Sequence, residues 1–187
     1  KIAVDSKYWL WVNGELVVFE GGLKRGPNRT DSYVDSVDLA PHLKAGKNTI
    51  AILTWYFGRE GFSHISSGMP ALYFDAGKLS IGDTPWKAII HPAYGNTGAP
   101  QPNYRLPESN THFDARKDIG DWQSESFDDS SWPAAVKLSA QHSAPWGKLH
   151  DRPTPLLRFS SLRDYTNAAT FPKVSTTQPI IAKLPYD

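Results

Sequence analysis

Apolar and polar residues alternate over short stretches from the first position onward, and glycine, asparagine or proline interrupts them before any stretch reaches helical length. Lys1–Val4 and Lys7–Val12 read as strands, the second ending in Asn13-Gly14. Asn-Gly between apolar runs signals a hairpin, because both central residues of a type I′ turn need positive φ. Glu15–Phe19 is then the return strand, and 21–30 is turn-rich. Asp38 is placed to cap a single turn over Leu39–Leu43, and Lys44-Ala-Gly-Lys-Asn48 reverses the chain. Thr49–Phe57 is a long apolar strand, expected at the centre of a sheet. Trp9 and Trp11 share one face of their strand, and that face is assigned to the core.

Beyond residue 70, Ala71–Phe74, Lys78–Ile81 and Trp86–His91 are expected as short strands, and 92–112 as an irregular excursion. Phe127-Asp-Asp-Ser-Ser-Trp132 is a polar turn between two aromatic anchors, whose rings are expected to be buried. Prolines at 153, 155, 172, 179 and 185 argue for an extended connection from Trp146 onward. The expectation is an all-β sandwich over 1–145 followed by a linker or tail over 146–187. The opening Lys1-Ile-Ala-Val-Asp5 has the character of mid-strand, so a longer parent polypeptide is expected.

Composition narrows the function. The 187 residues carry 20 basic and 19 acidic side chains for a net charge of +1, well mixed, so no basic stripe exists to track a phosphate backbone. No apolar run approaches the ~20 residues of a membrane helix. Cysteine is absent, which excludes disulfides and thiolate chemistry without fixing a compartment. The six histidines lack the spacing of a zinc helix. Calcium leaves less trace in a sequence, and Asn28, Asp31 and Asp35 have the chemistry to contribute to such a site, although a solvated loop accounts for them better. No cofactor or metal is assigned.

Candidate chemistry rests on rings rather than on acids. Asp128 and Asp129 are adjacent, so their carboxylates diverge on any regular element, and turn bonding accounts for them; no catalytic pair is assigned. Twelve per cent of the residues are aromatic, enough to leave some for stacking on the C–H faces of sugars. Trp55, Tyr56, Arg59, Glu60 and His64, where the long strand runs into a loop, form the candidate sugar site.

Three blocks, in order, resemble bacterial α-L-rhamnosidases. They are Tyr8–Gly14 with Tyr33–Leu43 and Gly46–Leu53; Thr111-His-Phe-Asp-Ala-Arg116, similar to that family's Glu-x-Tyr-Asp-Ala-Arg segment, followed by Asp118–Trp122 and Phe127–Trp132; and Gly147–Arg158. The resemblance implies a jelly-roll or galactose-binding-like sandwich at the N-terminal side of a further sandwich and an (α/α)₆ catalytic barrel. The family's catalytic carboxylates lie in that barrel. It also implies carbohydrate and the parent's following domains as partners, in a secreted or periplasmic bacterial setting. Asp114 and Arg116, two apart, would share one face of a strand and could pair with each other or with a neighbouring domain; with Arg152 and Arg158 they are the candidate domain-interface residues. Two alternatives stay open: a free-standing carbohydrate-binding module for rhamnose-containing polysaccharide, and the sugar-binding sandwich of a β-galactosidase-like hydrolase.

Overall fold

A computed structural model describes residues 1–22, 26–58, 65–80, 84–97, 111–138 and 146–160. Among these residues nine strands form: β1 (Ile2–Val4), β2 (Lys7–Val12), β3 (Glu15–Gly21), β4 (Ser32–Val34), β5 (Ile50–Trp55), β6 (Leu72–Phe74), β7 (Tyr94–Asn96), β8 (Thr111–Phe113) and β9 (Leu149–Asp151). Among the described residues there are single 3₁₀ turns but no α-helix. This is the all-β sandwich expected from the short apolar runs.

One layer is the antiparallel sheet β3-β2-β5. The other is assembled from short pairs. β6 lies antiparallel to β1, and Ile2 exchanges both backbone bonds with Asp35 at 2.9 and 2.8 Å. β4, just before Asp35, then pairs in parallel with β9. Ile2, Ala3, Val4, Val34 and Phe74 of this layer meet Tyr8, Leu10 and Val18 of the other, and Trp146 closes the cluster. Tyr8, Leu10 and Val12 are each fully buried, because alternate side chains of a strand share one face.

The Asn13-Gly14 turn forms as the sequence dictates, with φ of 53° and 82°. Asn13 also reaches out of its hairpin. Its Nδ2 donates to His42 O at 3.0 Å and to Asn48 Oδ1 at 2.9 Å, while its Oδ1 accepts from Thr49 N at 3.0 Å. Asn48 in turn closes its own turn, accepting from Lys44 N at 2.9 Å. The Val-Asn-Gly and Lys-x-Gly-x-Asn signatures are thus one hydrogen-bonded corner. Asp38 caps as expected, its Oδ1 accepting from Ala40 N at 3.0 Å ahead of the turn Ala40–His42.

Several expectations are corrected. β2, not the long apolar β5, is central in this sheet, flanked by β3 on one side and β5 on the other. Trp9 and Trp11 share a face, but it is the half-buried outer one; the core takes Tyr8, Leu10 and Val12. Gly77–Leu79 is a 3₁₀ turn where a strand was expected, closed by Ser80 Oγ donating to Gly77 O at 2.6 Å. From Trp86 to His91 only an isolated bridge forms, Lys87 with Ala134. The segment expected to be irregular contributes β7 and β8 at its ends. Residues 146–151, expected in the tail, supply core Trp146 and strand β9; three residues flanked by glycine and proline give too short a pattern to signal a strand.

Candidate functional site

The end of β5 carries two of the predicted sugar residues. Trp55 and Phe57 alternate onto one side and stack with centroids 5.7 Å apart at 23°. Lys7 Nζ lies 5.7 Å from the Trp55 ring centroid, a cation–π contact, and 3.2 Å from Glu20 Oε1. Trp55 and Tyr56 are half-buried. Phe57 N donates to Ser6 Oγ at 3.1 Å, tying the strand end to the β1–β2 turn. Arg59, Glu60 and His64 lie outside the described residues.

A second group of rings, missed in the sequence, runs outward from β2. Trp11 packs edge-on to Trp122 at 5.3 Å, and Trp122 lies 6.5 Å from His91. His91 then meets Tyr94 at 5.0 Å and Phe113 at 6.5 Å. Tyr94 and Phe113 are cross-strand partners in the β7–β8 pair, their centroids 5.0 Å apart. His91 accepts a 3.2 Å bond from Ala93 N at Nδ1, and its Nε2 lies 3.7 Å from Asp118 Oδ1. Alternation in Tyr94-Gly-Asn96 and His112-Phe113 was the available signal, hidden by their wide separation in the chain.

The four predicted interface residues fall in different surroundings. Arg116 grips Asp114 through Nε and Nη2 at 2.8 and 2.9 Å, and that bond holds the Asp114 carboxyl below the usual carboxylate range. Arg116 stays 89% exposed. Arg158 is exposed as well. Arg152 turns inward: its Nε donates to Asp35 Oδ1 at 2.5 Å and its Nη2 to Gly22 O at 2.7 Å. Asp35, 1% exposed, also accepts from Tyr8 Oη and Gly22 N, each at 2.8 Å. Burial, with the Asp35 charge second, raises the Tyr8 phenol, so it stays a neutral donor.

Asn28 and Asp31, two of the possible calcium ligands, face donors. Asn28 Oδ1 accepts from Thr30 N and Asp31 N, each at 2.9 Å. Asp31 accepts from Lys148 N at 3.0 Å and Asn28 Nδ2 at 2.9 Å, with His150 Nε2 3.0 Å away. The Lys148 bond, ahead of those from Asn28 and His150, lowers the Asp31 carboxyl to about 2. Asp35, the third, stands apart with Arg152. Among the described residues no group of three or more His, Asp or Glu is placed to hold a metal ion. Asp128 Oδ1 caps Ser130 N at 2.9 Å within the turn, and Asp129 Oδ1 receives Lys87 Nζ at 2.9 Å, which ties the turn to the 84–88 segment. A cavity of about 220 Å³ between the layers is lined largely by apolar side chains, among them Ile2, Leu10, Val37, Leu39, Phe74 and Leu79.

Comparison with protein-family models and with curated proteins gives no match. A solved structure does match, the crystal structure of a GH78 family rhamnosidase of Bacillus sp. GL1. The TM-score is 0.60 at 27% identity, over 83% of this chain and 16% of that one. The chain is similar to one part of a rhamnosidase. It spans about a sixth of that protein's length, so the similarity covers a domain-sized piece of it.

Proposed function

We propose that this chain is a non-catalytic accessory sandwich of an α-L-rhamnosidase-like glycoside hydrolase, of jelly-roll type and N-terminal to the catalytic barrel. One observation carries the reading: 83% of the chain matches a rhamnosidase, yet only 16% of that rhamnosidase is matched. Asp114, Asp128 and Asp129 support a non-catalytic role, since each carboxylate is already engaged, the first two by donors two residues on and Asp129 by Lys87. Hydrolysis of a glycoside ordinarily uses two carboxyl groups about 5–10 Å apart across the scissile bond, one of them free to donate a proton.

In this role the sandwich braces its neighbours and borders the active site, with exposed Arg116 and Arg158 available to adjoining domains and Trp55, Tyr56, Arg59, Glu60 and His64 as the proposed sugar contacts. The coding sequence beyond Asp187 tests the reading. It is expected to encode an (α/α)₆ barrel with acidic residues at its mouth. An immediate stop codon would favour the free-standing carbohydrate-binding module instead, and an unrelated domain would overturn the assignment.

A further inference from the structure

We infer that the face of the β7–β8 pair bearing Tyr94, Phe113, Asn96 and Thr111 binds a neutral sugar unit. The inference rests on the accessory-domain reading and goes beyond it by naming a site away from Trp55.

Register sets the face. Tyr94 pairs with Phe113 and Asn96 with Thr111, so alternation brings two rings, an amide and a hydroxyl to one side. Gly95 and His112 take the opposite side, where a Cβ on Gly95 would lie 3.2 Å from His112 Nδ1. Both rings of the first face remain open, Tyr94 at 44% and Phe113 at 46% exposure. The ring planes are tilted 56° to each other, so each offers its own exposed face to the C–H side of a pyranose, with polar Asn96 and Thr111 beside them.

The rings are also held in place. His91, its side chain only 10% exposed, backs both of them, held by the bond from Ala93 N, with Asp118 Oδ1 3.7 Å from its Nε2. Behind His91, Trp122 rests on Trp11 of the central strand. A platform built on a core strand loses little freedom on binding, which is what a weak sugar contact requires.

Docking of a neighbouring domain suits the face less well. A stable interface buries about 800 Å² per partner, whereas two half-exposed rings offer on the order of 200 Å². No aliphatic side chain stands at any of the six register positions of the pair.

The test is an amide chemical-shift titration of the whole chain with L-rhamnose, D-galactose and D-glucose. At least one sugar is expected to give saturable shifts at 94–96 and 111–113, with Kd on the order of 1 mM. Tyr94→Ala and Phe113→Ala should each weaken that binding tenfold or more while the spectrum stays folded, and Tyr94→Phe, which keeps the ring, should retain most of it. Three results would each overturn the site: no saturable shift with any of the sugars, shifts confined to Trp55 and Tyr56, or full affinity in both alanine variants. None of them bears on the accessory-domain reading, which the downstream sequence and the hydrolysis assay decide.

Discussion

Arg152 and Asp35, 117 positions apart in sequence, form a buried ion pair with Nε 2.5 Å from Oδ1 and side chains only 8% and 1% exposed. The pair closes β9 onto β4 and the β3 exit, because Arg152 also holds Gly22 O while Tyr8 and Gly22 fill the remaining Asp35 lone pairs. Breaking such a pair strands a charge in low dielectric. Arg152→Ala is expected to cost about 3–5 kcal/mol. Tyr8→Phe, which leaves Asp35 two other donors, should cost about 1 kcal/mol. Urea denaturation of the two variants checks the order; equal costs would mean that the charge is solvated and the network marginal.

How much of this was legible follows from sequence separation. Asn13-Gly14, the Asp38 cap and the Lys44–Asn48 turn are local devices, and each formed as read. Asp35 was legible only as a loop acid with the chemistry of a calcium ligand, and nothing in the sequence linked it to Arg152. Trp9 and Trp11 misled because a polar-tipped tyrosine took the core; Tyr8 is buried since Asp35 satisfies its hydroxyl. In the candidate site, Trp55 and Tyr56 were legible as rings at a strand end. The Tyr94–Phe113 pairing was not, being a contact between residues 19 apart that no local pattern encodes.

Acid should loosen the same region by a different route. The Asp31 carboxyl is held at about 2 in the folded state against 3.8 unperturbed, chiefly by the Lys148 N–H. A depressed folded value means that the contribution is complete above pH 4 and is lost as pH falls toward 2. Asp31→Asn should therefore flatten the decline of the urea midpoint across this window while changing little of its shape above it. An unchanged acid slope in the variant would remove Asp31 from the linkage.

The Phe127–Trp132 turn offers a contrast of ring against charge. The two rings pack edge-on at 5.5 Å, half-buried rather than fully buried, and Asp128–Ser131 between them face water. Full burial would put a ring truncation at about 3–5 kcal/mol, so Trp132→Ala is expected to cost about 2 kcal/mol. Asp129→Ala, which loses an exposed bond to Lys87, should cost under about 1 kcal/mol. Chemical denaturation of both decides it; a more damaging Asp129 variant would mean that the carboxylate has a task other than the turn.

An accessory sandwich carries no glycoside-cleaving chemistry of its own. Purified 1–187 and its parent protein, at equal concentration, would be incubated with an aryl α-L-rhamnoside. The parent is expected to release aglycone, and the chain alone none above buffer. Turnover that tracks the purified chain through successive columns would contradict it, because a catalytic carboxyl pair would then have to lie within these residues.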